Sequence, residues 1–423
     1  MAFGIKPLRA VLLATALGVT ATSANAATII LHNIGGVTPG TDAFNGFKRA
    51  ANFWGSQFSN DITINLNVGF NHLGPSILGS TSSTFTVKSI QSVEGHMIAG
   101  ASSSAIDQSA TANLPALSPT AFGVGGVSVI TPGYTHPETG AGNGNPFGTG
   151  NPYGIDNSTN VYDTDGTFNN VAIGVTTANA KALGYAVDPH TIDGSITFSS
   201  DFAFDFNPTD GITPGTIDFL SVATHEIGHA LGFVSGVDDY DTLGGPNSPY
   251  AHYDCGGFEC QNYPAEDDWF GETLDLFRYS HDPNHVAPGD DPTLTWAPGV
   301  ESYFSVDRGA TDLGNFSTGS FNGDGWQASH WKAPTSAPFC SGLLGIMNPY
   351  ACHNTGGIVT NLDREAFDAI GYNLVDQGDR QYTTADIYKN TAVPEPATWS
   401  LLIGGLGLMG AMLRRRRTAT LSA

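Results

Sequence analysis

Two histidines stand four residues apart in Thr224-His225-Glu226-Ile227-Gly228-His229-Ala230-Leu231-Gly232-Phe233, with a glutamate directly after the first. On an α-helix such a pair is offset by about 40° and displaced by about 6 Å along the axis, so both imidazoles face the same way. Two nitrogens so placed can share one Zn²⁺ at roughly 2.0–2.1 Å each. Glu226 lies close enough to take a proton from a water on that metal without itself being a ligand. The plain alternative is a buried helix with incidental histidines. The glycine that follows the second histidine, and the surrounding residues, favour the metal.

A catalytic zinc takes three protein ligands and leaves one position open. In the common extension H-E-x-x-H-x-x-G-x-x-H the last position is the third ligand; here it is Ser235, a poor one. The best candidate elsewhere is His330, in Ala328-Ser329-His330-Trp331. Gly345-Ile346-Met347-Asn348-Pro349 follows it as a tight turn carrying a methionine. The helix motif, the distant Ser-His-Trp, the methionine turn and a short helix after it together resemble the leishmanolysin branch of the metzincin zinc metalloproteases. The resemblance spans about residues 42–372, and the chain is most similar to exported metalloproteases that bear PEP-CTERM tails. It implies one catalytic Zn²⁺ on His225, His229 and His330, Glu226 as base, and Met347 as an apolar floor under the metal. It implies an α+β, metzincin-like fold: a twisted mixed β-sheet with a long zinc-binding helix in an N-terminal lobe, and a loop-rich C-terminal lobe with a Met turn and a short helix. The chain departs from the family in the interval between His330 and Met347, which carries a cysteine-bearing insertion. Three carboxylates stay open as rival third ligands: Glu272 on a second predicted helix, and Asp238 or Asp239 just after the glycines. Tyr350 could help hold an oxyanion, but its offset from the methionine differs from that of related tyrosines, so packing is preferred.

The chain is 423 residues with a net charge of −23, 53 glycines and only 13% charged residues. So acidic a chain does not suit nucleic acid as a partner. The plain meaning of the charge is solubility outside the cell. Residues 1–26 read as a secretory signal: Lys6 and Arg9, an apolar run from Ala10 to Thr20, then the small-residue site Ala24-Asn25-Ala26. At the other end, Val393-Pro394-Glu395-Pro396 precedes an apolar run from Ala397 to Leu413 and four arginines, Arg414–Arg417. This tail, 393–423, resembles the PEP-CTERM sorting signal of Gram-negative bacteria. The resemblance implies processing by an exosortase-type enzyme, transient membrane anchoring, and delivery to the cell surface or extracellular matrix. A plain transmembrane anchor is the alternative. The signal carries two net positive charges and the tail three, so the part between them lies near −28. Cys255, Cys260, Cys340 and Cys352 suit an oxidising compartment, and the two local pairs, Cys255–Cys260 and Cys340–Cys352, are preferred over a four-cysteine zinc cluster.

The remaining segments must position the site. Residues 27–376 read as one metalloprotease domain, with lobes 27–236 and 237–376, followed by a linker at 377–392. Ala27–Leu31 is a β-branched run and Asp61–Phe70 alternates, both predicting strands; Phe85–Ile90 and Asn170–Val175 add two more. Asp42–Phe58 shows a spacing of three and four and predicts an amphipathic helix. Ala99–Asn113 predicts nothing firm. Leu114–Thr167 is dense in Gly, Pro, Asn and Ser and reads as long surface loops. Within it, Asp163-Thr164-Asp165-Gly166 faintly resembles a calcium loop but lacks the ligand spacing and closing glutamate, so calcium is unsupported and an Asx-rich turn is preferred. Gly194–Phe206 predicts a strand bent at Ser199-Ser200. The motif helix is expected from Ile217 to Phe233, with Asp218 in its first turn and Gly232 or Gly236 ending it. Asp267–Ser280 reads as a second, shorter helix and Leu362–Tyr372 as a third. The histidine motif and the resemblance together imply a zinc endopeptidase acting on extracellular protein or peptide, and a monomer is expected. The reading from another class is a non-catalytic surface or matrix protein with a structural metal site. Glu226, between two metal-binding histidines, has no use there.

Overall fold

The computed structural model describes residues 27–134, 155–244, 270–281, 291–335, 340, 342–376 and 378–391. The signal segment 1–26, the Cys255–Cys260 pair, the start of the 267–280 segment and the sorting tail 393–423 lie outside the described residues. The chain is α+β, with several small sheets and intervening helices. Residues before and after the motif helix contribute to one continuous apolar cluster.

The main sheet assembles from strands far apart in sequence. β1 (Thr28–Gly35) leads into α1 (Asp42–Gln57), β2 (Thr63–Asn71), β3 (Gly79–Ser83) and β4 (Phe85–Ser89). Thr41 caps α1 by accepting from the Phe44 amide at 3.2 Å, and Phe47, Ala50, Ala51 and Trp54 form the buried stripe that the spacing predicts. Two further helices follow, α2 (Ile90–Gly100) and α3 (Ala105–Ala112), each opened by a serine cap, Ser89 and Ser104. The second of these falls in the stretch where the sequence predicts nothing firm.

Loops were expected across Leu114–Thr167, but β5 (Val129–Tyr134) and β6 (Ile155–Asp163) form an antiparallel pair there. Val129, Ile130 and Thr131 are all fully buried. A strand covered on both faces has no polar–apolar alternation to read. The Asp163–Gly166 turn is an Asx-type turn: Asp163 accepts from the Asp165 amide at 3.2 Å, and Asp165 from the Thr167 amide at 2.9 Å. β7 (Ala172–Thr176) pairs with β4, and α4 (Thr177–Ala182) follows it. β8 (Gly194–Ser199) completes the main sheet in the order β1-β2-β8-β3. β1, β2 and β8 run parallel; β3 lies antiparallel at the edge. The single bent strand expected over Gly194–Phe206 is two elements, because Phe204–Asp205 leaves β8 and pairs with Ile217–Asp218.

The motif helix, α5 (Phe219–Leu231), lies against α1 and β3. It is shorter than predicted because Ile217–Asp218 is extended. Asp218 is its N-cap, accepting from the Leu220 amide at 3.0 Å, and Gly232 closes it at φ 118°, a conformation that favours glycine. Phe219 opens the helix amid Phe47, Phe70, Phe198, Phe204 and Phe206, whose ring centroids lie 4.7–6.3 Å from its own. The Trp54 indole donates to the Thr224 carbonyl at 2.9 Å, pinning α1 to the motif itself.

After α6 (Val237–Gly244) the structure becomes loop-rich. The helix predicted over Asp267–Ser280 is a short 3₁₀ turn, Thr273–Phe277, running into β9 (Arg278–Ser280). Leu274, Asp275, Leu276, Phe277 and Arg278 are all buried, so no solvent face exists to give a helical period. β9 joins β10 (Thr293–Leu294), β11 (Ser302–Phe304) and β12 (Gly314–Phe316) in a small antiparallel sheet ordered β10-β9-β11-β12. The Cys340–Cys352 disulfide is formed, and it closes a loop that contains the methionine turn. α7 (Asn361–Ala369) follows, starting one residue before the predicted 362–372 helix and ending three residues short of it. The stretch 377–392, expected as a linker, is folded in its second half. There Tyr382–Thr383 pairs with Ile358–Val359 and leads into α8 (Thr384–Asn390). Ile387 of α8 is buried, and the Arg49 guanidinium of α1 stacks 3.8 Å from the Tyr388 ring centroid. Among the described residues no helix is long and apolar enough to cross a membrane.

Candidate metal centre

α5 carries His225 and His229 on one face, and the loop before Trp331 brings His330 to them. The three Nε2 atoms lie 3.0, 3.2 and 3.3 Å apart. Each ring is oriented through its other nitrogen. His225 Nδ1 donates to the Ile346 carbonyl at 2.8 Å, His229 Nδ1 to the Phe233 carbonyl at 2.7 Å, and His330 Nδ1 to the Gln327 carbonyl at 3.2 Å. A carbonyl can only accept, so the proton of each neutral ring belongs on Nδ1. Three bare Nε2 lone pairs therefore face one another with no proton between them. That arrangement repels itself unless a cation lies among them.

The spacing also suits zinc, since a tetrahedral ion bonded at ~2.05 Å sets its nitrogens ~3.3 Å apart. Burial holds all three rings neutral. It lowers His225 to about 4, and burial with the neighbouring His225 lowers His229 to about 3. His330 falls well below the usual range, by burial first and then by the other two rings. Neutral imidazole is the form that ligates a metal. His330 is buried, whereas His225 and His229 keep partial exposure. Among the described residues these three form the one group of His, Cys, Asp or Glu whose ligand atoms converge in this way.

Glu226, the residue after His225 on α5, is buried. Thr81 of the edge strand β3 donates to its Oε2 at 2.7 Å and to its carbonyl at 2.9 Å. Burial raises the carboxyl to about 7, against the pull of the Thr81 hydrogen bond. Oε1 faces Gly79, where an added Cβ would come within 2.7 Å of it. Met347 is fully buried beneath α5, and a Cβ on Gly228 would meet its sulfur at 2.5 Å.

The rival ligands are placed differently. Asp238 accepts from the Ala328 amide at 2.6 Å, the Ser329 amide at 3.0 Å and the Ser329 hydroxyl at 2.5 Å. Glu272 lies against the backbone at Gly174, and Asp239 is exposed. None of the three joins the histidines. Tyr350 packs on Trp326, with ring centroids 5.4 Å apart.

Sequence reading missed the supporting residues. Thr81 carries no local signal at all. Asp363 carries a partial one, because Thr360-x-x-Asp363 is a capping pattern. Its carboxylate serves that cap and also accepts from the Ile346 amide at 2.9 Å, the Met347 amide at 3.2 Å and the Trp331 indole at 2.8 Å. One side chain thus ties the methionine turn to the residue after His330.

Residues 392–417 match the PEP-CTERM protein-sorting motif. The protein is therefore an exported one of Gram-negative type, bound for the cell surface or the extracellular space, and its tail is the part an exosortase recognises. No curated protein matches the chain, and no solved structure does either.

Proposed function

We propose that the protein is a zinc-dependent endopeptidase of metzincin-like fold that hydrolyses peptide bonds of extracellular proteins. The observation that carries this reading is the convergence of three deprotonated Nε2 atoms within 3.3 Å, with Glu226 next to the first of them in sequence. Bound there, zinc would supply Lewis acidity and an acidified water.

The chain's own groups supply the rest. Glu226 has a carboxyl raised to about 7, able to accept a proton near neutral pH and return it to a leaving amine. A nearby dication would draw that value down again, which favours the charged, proton-accepting form. Thr81 fixes one carboxylate oxygen. Among the described residues the outer edge of β3 has no strand partner, and Ser80 and Ser82 are exposed along it. An extended peptide could add there as a further strand, held by backbone hydrogen bonds. The strand that would receive the substrate is thus the one that orients the base.

The test is digestion of a peptide library by the purified protein. Cleavage should stop on adding a chelator and return on adding zinc. Cleavage indifferent to the chelator would dismiss the reading.

A further inference from the structure

Ser235 occupies the place where the common pattern has its third histidine, and the structure gives it a different task. Its amide donates to the Ser329 hydroxyl at 2.9 Å, and its own hydroxyl donates to Asp275 at 2.6 Å. The Ser329 hydroxyl passes its hydrogen to Asp238. Asp275 also accepts from the Gly236 amide at 2.8 Å and from Arg278 Nε at 2.9 Å. Arg278, fully buried, then donates to the Ala328 carbonyl at 2.7 Å. The segment that leaves the motif helix is thereby bonded to both sides of the loop that presents His330. Asp238 is the member that takes three donors from that loop, at both residues preceding the histidine.

We propose that Asp238 is a positioning residue for His330, and that the Asp238–Ser329–Ser235 relay stands in for the missing local ligand by fixing the remote one. The inference rests on the reading of the triad as a zinc centre. Three observations argue for it. The loop has no regular structure of its own around Ala328 and Ser329. Its backbone donors are spent on one carboxylate and not on a strand partner. The direct neighbour Asp239 makes no such bonds and is exposed. A carboxylate can accept on two oxygens at once, so it can hold two consecutive amides where a single carbonyl could not. Outer partners that orient a ligand typically change metal affinity by about 10–100-fold when removed.

The experiment measures zinc affinity by competition with a chromophoric chelator on the purified protein, alongside the visible spectrum of the cobalt-substituted form. Asp238→Asn keeps the shape but turns a donor toward the amides, and should weaken zinc by about 10–100-fold and alter the cobalt bands. Ser329→Ala, which only breaks the relay, should weaken zinc less than Asp238→Asn; it decides the matter if Asp238→Asn fails to fold. Asp239→Asn should leave the affinity unchanged. A merely structural role would lower the melting temperature of the metal-free protein without moving the affinity or the cobalt bands of the folded form. Zinc affinity within twofold of the parent in Asp238→Asn, or in Ser329→Ala should the first not fold, would overturn the proposal. His330→Ala separates the two levels. If it binds zinc as the parent does, the metal centre itself is wrong; if it loses zinc while Asp238→Asn does not, only the positioning role falls.

Discussion

His225 and His229 owe their placement to one helix, whereas His330 owes its placement to hydrogen bonds arriving from several other segments. On α5 the spacing of the two rings follows from the helical repeat, and packing only has to settle where the helix sits. Trp54 and the phenylalanines around Phe219 do that. The loop at 328–330 has no such repeat. Asp238 and Ser235 hold it from one side, Arg278 from another, and the Trp331 indole anchors it to Asp363. The same chemistry thus has one half built on local order and one half built on long-range contacts. Local order is robust to single changes outside it, and a network of partners is not.

The largest effect should come from the helix side. Glu226→Gln should keep zinc and lose cleavage by about 10²–10⁴-fold, read as kcat/KM on a peptide substrate. Cleavage retained at the parent rate would remove Glu226 from its role. On the loop side, Trp331 is fully buried, stacked on Phe316 with centroids 5.0 Å apart. Trp331→Ala should cost about 3–5 kcal/mol in denaturant unfolding. It should also weaken zinc, and a loss of stability with unchanged zinc affinity would show that the loop holds His330 without this anchor.

Glu94 lies on neither side and serves as a reference. Burial raises its carboxyl from 4.5 to about 7, against the pull of Arg308. Below 4.5 the group is protonated in both states and contributes nothing. As pH rises toward 7 the unfolded chain ionises first, so stability falls, and the loss is complete above 7. By linkage this amounts to about 3 kcal/mol, so Glu94→Gln should flatten that part of the stability profile and leave the zinc site alone. A parent profile flat between pH 4.5 and 7 would rule this out. The smallest effect tests the seam between the two halves. Alanine in a helix ordinarily stabilises relative to glycine, yet Gly228→Ala should destabilise by about 1–3 kcal/mol, because its Cβ meets the Met347 sulfur. A gain in melting temperature would show that the methionine turn yields freely.

What could be read from the sequence follows the same division. The α1 stripe and the motif helix are legible because each has a polar face or a cap that shows in local spacing, and β2 because Asn65 and Asn67 alternate with Ile64, Leu66 and Val68 although the strand is largely buried. β5 and the Thr273–Phe277 turn are not, because consecutive buried residues erase the period. His330 was reached through its neighbours and a family resemblance, since nothing in the loop itself predicts its direction. Asp238 was read as a possible ligand because an acid near a metal motif looks like one. Only the tertiary structure shows its oxygens already taken by Ala328 and Ser329.

The proposed function depends on whether three imidazoles from two separate parts of the chain close around one zinc. Zinc-edge X-ray absorption on the purified protein and on His330→Ala addresses it directly. The expected result is one zinc per chain, bound by three imidazole nitrogens at ~2.0 Å in the parent, with zinc lost or its imidazole count reduced in His330→Ala. A parent shell dominated by sulfur or carboxylate oxygen, or an imidazole count that does not change in His330→Ala, would contradict it.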